Sequence, residues 1–92
     1  MIATISHSRT SNASRYAQAY MQPPARAFGK AVREQRLQKG MSQQQLSDKC
    51  GLDISYIGQI ERGQRNPTLG VMHGLASVLG VKVSDLMRMG KL

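Results

Sequence analysis

Apolar residues recur at helical spacing at two places within residues 41–67. Leu46 and Cys50 lie four positions apart, and Ile57 and Ile60 lie three apart, so each pair indicates the buried stripe of a short helix. Only a few residues separate the two stripes. The pattern therefore predicts two helices of about two turns each around a tight turn, which is the arrangement of a helix-turn-helix.

Start and stop signals bracket both predicted helices. Ser42 and Gln45 match a Ser-x-x-Gln capping box, in which each side chain satisfies a backbone N–H of the first turn. Gly51 is the predicted end of that helix, because glycine adopts the left-handed backbone conformation at little cost. Asp53 is the predicted cap of the second helix of this pair, and Gly63 is its predicted end. Such a pair sets its second helix into a DNA major groove, so the segment predicts a DNA-binding motif.

The same reasoning predicts three more helices and no strand. One covers residues 27–39 and ends at Gly40. Another follows a turn and cap formed by Asn66-Pro67-Thr68 and continues as far as Gly80. Ser84 is the predicted cap of a short fifth helix. The first of these helices has Phe28 and Val32 on an inward stripe, and the next has helical periodicity at Leu69, Met72, Leu75, Ala76 and Leu79. The fifth helix contains Leu86 and Met87. The predicted fold class is all-α, a compact domain of five helices.

The chain divides near Arg26 into an extension and a domain. Residues 1–25 are rich in Ser, Thr, Ala, Gln and Asn, contain no acidic residue and end close to a polyproline-like break. We expect this N-terminal extension to be flexible, although residues 13–21 could form a short helix with an apolar stripe. Residues 26–92 form the predicted domain.

The charge of the chain is strongly positive, with 13 Lys and Arg against 5 Asp and Glu, a formal net charge of +8 and a sequence pI near 10.4. This favours nucleic acid as the partner, although solubility or an acidic protein partner would also explain it. The small core that 92 residues allow makes a dimer energetically favourable. The chain lacks both the roughly 18 apolar residues of a membrane span and the apolar core of a signal peptide, so we expect a cytoplasmic protein without membrane contact.

Residue types that carry catalysis or bind metals are scarce. The single cysteine, Cys50, cannot form an internal disulfide and lies on a predicted buried stripe, so we expect a small core residue there. His7 lies in the predicted extension, and His73 has no carboxylate or nucleophile within three or four residues. No His or Cys pair has metal-ligand spacing, and no glycine loop could cradle a phosphate. We therefore expect no metal, no cofactor and no enzymatic activity.

A set of short motifs extends through residues 28–86. The motifs are Arg36, Gly40-Met41-Ser42-Gln43, Gly51, Ile57 to Gly63 with the ending Ile-Glu-Arg-Gly, Pro67, Leu75-Ala76 and Leu79-Gly80-Val81. Together they resemble the Cro and phage-repressor-like helix-turn-helix family, often called XRE-like. Residues 52–66 are especially similar to small controller proteins of restriction-modification systems and to compact phage-type repressors. The resemblance implies five helices, a symmetric dimer and a palindromic operator in double-stranded DNA, and it does not imply an enzyme.

The resemblance also implies contacts with the DNA backbone. Gln43 lies at the start of the second of the five predicted helices, which is the first helix of the pair. It would hold a phosphate through its backbone N–H and its side-chain amide, assisted by Gln44. Phosphate contacts are further implied at the flank of the third helix and in the following loop. The residues at these positions are Tyr56, Arg62, Arg65 and Asn66.

The bases themselves would be read from the third helix. Because Ile57 and Ile60 point inward, the positions left to face the groove are those of Ile54, Ser55, Gly58 and Gln59. Gln59 could bond bidentately to adenine N6 and N7. Ser55 could contact either base type, and Ile54 could touch only a thymine methyl or exclude a wrong base. The alternative for Gln43, Gln44 and Gln59 is a merely solvated helical face, and the capped two-helix context argues against it.

Arg36 and Glu61 are not expected to contact bases. The resemblance implies that they pair beneath the motif, with the guanidinium holding the carboxylate in bidentate fashion. Such a pair would fasten the first helix to the end of the third. Two independent surface charges, worth under about 1 kcal/mol if they meet, are the alternative.

These observations favour a sequence-specific DNA-binding transcriptional regulator, acting as a homodimeric repressor. More apolar residues lie near the C-terminus than one short helix can bury, so we expect them to meet a two-fold mate; they are Val81, Val83, Leu86, Met87 and Met89. Two other classes stay open. An antitoxin would bind a toxin protein as well as its own promoter, and would co-purify with a small protein. A protein-interaction module would show no salt-sensitive duplex binding.

Overall fold

The computed structural model describes residues 24–91 of the chain. Five helices follow one another in this part, and no strand occurs in it: α1 over 24–38, α2 over Gln43–Cys50, α3 over Ile54–Glu61, α4 over Leu69–Leu79 and α5 over Val83–Met89. The all-α prediction is therefore confirmed. Helix α1 includes residues 24 and 25, which the sequence had assigned to the extension, and Ala25 is buried. The expectations of flexibility before that point and of a helix over 13–21 lie outside the described residues.

The predicted caps of α2, α3 and α4 are confirmed. Ser42 Oγ accepts the N–H of Gln45 at 3.0 Å, and Gln45 Oε1 accepts the N–H of Ser42 at 2.8 Å, which completes the capping box. Gly51 ends α2 with a left-handed φ of 72°. Asp53 caps α3, and Thr68 caps α4 by accepting the N–H of Val71.

Helix α5 begins earlier than predicted. Its N-cap is Lys82 rather than Ser84, which lies within the helix. The physical reason is Asp85, whose carboxylate reaches back to accept the N–H of Lys82 at 2.9 Å. The carboxylate also suits the positive end of the helix dipole. Asp85 further accepts a hydrogen bond from Arg88, and these two contacts, Arg88 first, lower the pKa of Asp85.

Apart from Leu69, the predicted inward positions lie in one core or pack against it. The fully or nearly fully buried apolar residues are Phe28, Ala31, Val32, Leu46, Ile57, Ile60, Leu75, Ala76, Leu79 and Leu86. Leu69 is wrong as a core position, because it lies in the first turn of α4 and is 70% exposed. Leu86 is wrong as a surface residue for a mate, since its exposure is 0%. Of the C-terminal apolar residues, Met89 is the exposed one, at 47%.

Helix α1 crosses the end of α3 at backbone distance. A Cβ atom at Gly29 would lie 1.9 Å from the carbonyl oxygen of Ile60, and one at Gly63 would lie 2.7 Å from Cα of Arg26. Any larger residue at either place would force the two segments apart. This close packing fixes α1 against α3 and the loop that follows it.

Within residues 24–91, no single helix is long and apolar enough to cross a membrane. Helices α4 and α5 reach the length and apolar composition of a membrane span only when they are counted together, and a bend of 90° separates them.

Candidate nucleic-acid interface

The outer face of α3 carries the residues that the sequence assigned to base contacts. Ile57 and Ile60 are buried against the core, so Ile54, Ser55 and Gln59 lie on the other side of the helix, the first two exposed and Gln59 half-buried. Gly58 departs from the prediction, since it is buried. The guanidinium of Arg62, one turn further along, covers it, and a Cβ at Gly58 would lie 3.0 Å from Arg62 Nη1.

Ser55 is tied to the cap of its own helix. Its hydroxyl and its backbone N–H both donate to Asp53 Oδ1, at 2.5 Å and 2.8 Å. The hydroxyl hydrogen bond is the largest cause, and the backbone N–H the next, of a lowered pKa of the Asp53 carboxyl. With its proton engaged, the Ser55 oxygen is left as an acceptor, which suits the amino groups of cytosine or adenine.

Gln59 is held by a side chain from the loop after α3. Arg65 Nε donates to Gln59 Oε1 at 3.0 Å, and the Arg65 guanidinium carbon lies 5.4 Å from the ring centroid of Tyr56. Arg65 therefore bridges two residues of α3 that lie one turn apart. In this arrangement the amide nitrogen of Gln59 remains a free donor, while its oxygen keeps one further lone pair.

The loop after α3 is basic and internally braced. Arg62 Nε donates to Gln64 Oε1 at 3.1 Å, and the backbone N–H of Gln64 donates to the carbonyl of Gln59 at 2.8 Å. Asn66 is exposed at the end of this loop. The structure thus brings Tyr56, Gln59 and Arg65 into one cluster beside Arg62.

A buried polar network lies beneath the motif and joins α1, α2 and α3. Arg36 Nε donates to Glu61 Oε2 at 2.7 Å and Arg36 Nη2 to Glu61 Oε1 at 2.9 Å, which is the bidentate geometry that the resemblance implied. A third nitrogen, Arg36 Nη1, donates to the carbonyl of Met41 at 2.8 Å. The two side chains are only 7% and 2% exposed. Hydrogen bonding to Glu61 raises the pKa of Arg36.

Gln43 belongs to this network. Its Nε2 donates to Glu61 Oε1 at 3.0 Å, so the amide nitrogen points inward to the carboxylate and not to the outside as expected. Its backbone N–H lies in the first turn of α2, where the helix itself supplies no acceptor. Gln44 is exposed, and its amide donates to Asp48 one turn along α2 at 2.8 Å.

Sequence reasoning did not single out Arg26. It lines a groove of about 520 Å³ together with Arg62, Arg65 and Asn66. Arg26 lies on α1, far from this loop in sequence, and the close approach at Gly63 brings them together. A single basic residue beside a predicted helix does not indicate which distant loop it will contact.

The other chemistry-bearing residues are dispersed. Cys50 is half-buried against the core and its Sγ donates to the carbonyl of Leu46, while His73 is exposed on α4. In the part of the chain that the structure describes, no three His, Cys, Asp or Glu side chains come together as a metal site.

Two capped helices around a left-handed glycine, the second with an outward polar face, define a helix-turn-helix protein. The chain belongs to the HTH_3 helix-turn-helix family, whose model matches residues 32–86.

Curated relatives of the chain include a control protein and a transcriptional regulator. The control protein C.BamHI of Bacillus amyloliquefaciens is 44% identical over 61 residues, which cover 65% of this chain and 75% of that protein. The transcriptional regulator SinR of Bacillus subtilis is 35% identical over 61 residues, covering 65% of this chain and 55% of SinR.

Two solved structures are similar to this chain in fold and in sequence. The restriction-modification controller protein C.AhdI from Aeromonas hydrophila has a TM-score of 0.66 at 44% identity, over 67% of this chain and 94% of that one. SinR, the master regulator for biofilm formation, was solved in complex with DNA and has a TM-score of 0.63 at 33% identity, over 65% of this chain and 97% of that one.

Proposed function

We propose that this protein is a sequence-specific, double-stranded DNA-binding transcriptional regulator that reads bases with α3. One observation carries the proposal. The outer face of α3 presents Ser55 and Gln59 beside the arginine-rich loop, on a rigidly capped helix-turn-helix. The named relatives, among them a regulator solved with DNA, support the same class.

In this proposal α2 contacts the DNA backbone and α3 enters the groove. The free N–H groups at the start of α2, that of Gln43 included, hold a backbone phosphate, because a helix N-terminus favours anions. Gln44 lies on the same outer surface and assists. The Arg36–Glu61–Gln43 network keeps α1, α2 and α3 at a fixed angle, so phosphate contacts on α2 set the depth of α3 in the groove.

Specific readout falls to Gln59 and its neighbours. With its oxygen shared with Arg65, Gln59 offers an amide donor to base acceptors such as purine N7, while the remaining lone pair can take adenine N6. Ser55 adds an acceptor, and Ile54 can contact only a thymine methyl. Tyr56, Arg62, Arg65 and Asn66 would contact phosphates on either side of these bases.

We further propose that the regulator is a homodimeric repressor on a palindromic operator. One α3 helix spans only a few base pairs, and two of them placed about one helical turn apart give the specificity that one lacks. Met89 on α5 and Leu69 on α4 are exposed apolar residues that a two-fold mate could cover. The domain that begins with α1 would form this unit, and it would act in the cytoplasm.

Binding to a mixed-sequence duplex, followed by fluorescence anisotropy at several salt concentrations, tests the proposal. The affinity should fall steeply with salt, because each phosphate that the protein neutralises releases close to one counterion. An absence of salt-sensitive binding would contradict DNA recognition and favour a protein-interaction module. Co-purification of a tightly bound small protein together with duplex binding would favour an antitoxin.

A further inference from the structure

Three arginines face one groove at the edge of the proposed DNA surface. Arg26 comes from the start of α1, and Arg62 and Arg65 come from the loop after α3; with Asn66 they line a space of about 520 Å³. The family match begins at residue 32, so Arg26 lies outside the matched region.

The groove is built by a close backbone approach. Gly63 has a φ of 74°, a left-handed conformation that bends the loop toward α1, and a Cβ there would lie 2.7 Å from Cα of Arg26. The backbone of Arg26 is therefore set against the loop, while its side chain is exposed. Arg62 and Arg65 are also oriented, because each uses its Nε on a glutamine, Gln64 and Gln59 respectively. The terminal nitrogens of both guanidinium groups are left for another partner.

Among the side chains of residues 24–91, no carboxylate forms an ion pair with these three arginines. The chain has five acidic side chains, and all five lie within residues 24–91. The ion pairs found in that range join Glu61 to Arg36 and Asp85 to Arg88. Asp53 caps α3, Asp48 accepts from Gln44, and Glu34 is exposed on α1. Three arginines that line one groove without a paired carboxylate side chain in the described residues form a site for an anion.

The anion that fits is a phosphodiester of the duplex that α3 reads. Arg65 belongs both to the groove and to the cluster with Gln59 and Tyr56, so the groove continues the proposed recognition surface. We propose that Arg26 closes a clamp with Arg62 and Arg65 around one backbone phosphate beside the bases contacted by α3. Guanidinium groups suit this role, since their paired N–H donors match phosphate oxygens. The inference rests on the proposed function, and it adds α1 to the DNA contact.

Salt titration of the full chain with Arg26→Ala tests the clamp, with Arg33→Ala as the matched control. Both arginines are exposed on α1 and both changes remove one charge, but Arg33 does not line the groove. Loss of one phosphate contact lowers the slope of log affinity against log salt by about 0.9. The ratio of wild-type to Arg26→Ala affinity should therefore shrink about threefold between about 50 and 200 mM salt. Arg33→Ala should leave the slope unchanged, and Arg26→Lys should restore it.

The outcomes separate the clamp from the wider proposal. Equal slopes for Arg26→Ala and Arg33→Ala, with wild-type duplex binding intact, would overturn the clamp and leave the DNA-binding proposal standing. The absence of any duplex binding by the wild type would overturn both. A titration with inorganic phosphate, in which the NMR signals of the backbone amides around the groove are followed, tests whether the groove is instead a site for a free anion. If phosphate saturates the groove while Arg26→Ala leaves the salt slope of duplex binding unchanged, the clamp is overturned. Melting curves check that each variant remains folded.

Discussion

Glu61→Ala should strongly destabilise the domain, because it leaves the buried guanidinium of Arg36 without a counter-charge. The Glu61 carboxylate accepts two hydrogen bonds from Arg36, at 2.7 Å and 2.9 Å, and one from Gln43 at 3.0 Å. Removal of one partner from a buried ion pair costs about 3–5 kcal/mol. Because the smallest domains have a free energy of unfolding of about 5 kcal/mol, this variant should lie close to the limit of folding.

Removing both charges should do far less damage. The double variant Arg36→Met with Glu61→Leu buries no charge, and such replacements are commonly neutral or stabilising. The Met41 carbonyl loses one donor, which offsets part of that gain by about 1 kcal/mol. We expect a free energy of unfolding within about 1 kcal/mol of the wild type, but weaker duplex binding, since Gln43 loses the acceptor that positions the start of α2.

Urea denaturation followed by circular dichroism measures these differences. Arg88→Ala is the internal control, because it removes the exposed ion pair with Asp85, in which the arginine side chain is 72% exposed. An exposed pair contributes under about 1 kcal/mol. If Glu61→Ala cost no more than this control, Arg36 and Glu61 would be two independent charges and not a buried ion pair. If the double variant were as unstable as Glu61→Ala, an unpaired buried charge would not be the cause.

Three further predictions concern the DNA surface, the dimer and acid stability. Arg65→Ala should weaken binding to every duplex and flatten the salt slope; because Arg65 also holds Gln59, site preference should relax as well. Met89→Glu should give a folded monomer in sedimentation, whereas Leu86→Glu should unfold the chain by burying a charge. Asp53→Asn keeps a capping side chain but loses the charge. Since the pKa of Asp53 is lowered in the folded chain, the stability lost in this variant, measured by urea denaturation, should be constant above about pH 5. It should begin to shrink near the ordinary value of 3.8 and vanish once the pH is below the lowered pKa of the folded chain.

Each of these has a contrary result. An unchanged salt slope in Arg65→Ala would show that this arginine contacts no phosphate. A wild type that is monomeric at tens of micromolar, both free and on DNA, would place specificity in a single copy, and a dimer that persists in Met89→Glu would move the interface elsewhere. A difference between Asp53→Asn and the wild type that persists far below the ordinary Asp pKa would show that the charge of the cap does not matter.

Features with local causes could be predicted from the sequence. The caps at Ser42, Asp53 and Thr68 and the glycine at the turn depend on residues within one helical turn, and all were correct. The cap of α5 was not, because the group that matters is the carboxylate of Asp85, which reaches back to a lysine with no capping side chain. Leu69 fits the periodicity but lies in the first turn of α4, where it is 70% exposed.

The candidate site required knowledge of tertiary neighbours. The outward positions of α3 can be predicted from its two inward isoleucines. The hydrogen-bond partners of the side chains at the site cannot be predicted in this way. Gln43 turns its amide to Glu61 because α2 and the end of α3 meet there, and Gly58 is buried because Arg62 folds over it. Arg26 joins the loop only through the approach of two backbones at Gly63.

Selection from a pool of random duplexes tests whether α3 reads bases through Gln59. The wild type, Gln59→Ala and a control variant at an exposed glutamine of α1, Gln38→Ala, are each used to enrich bound sequences. We expect the wild type and the control to enrich the same inverted repeat, with half-sites about one helical turn apart. Gln59→Ala should lose about 1–3 kcal/mol of discrimination at one position in each half-site. If the wild type enriched no motif, or if Gln59→Ala enriched an unaltered one, base reading by α3 through Gln59 would be contradicted.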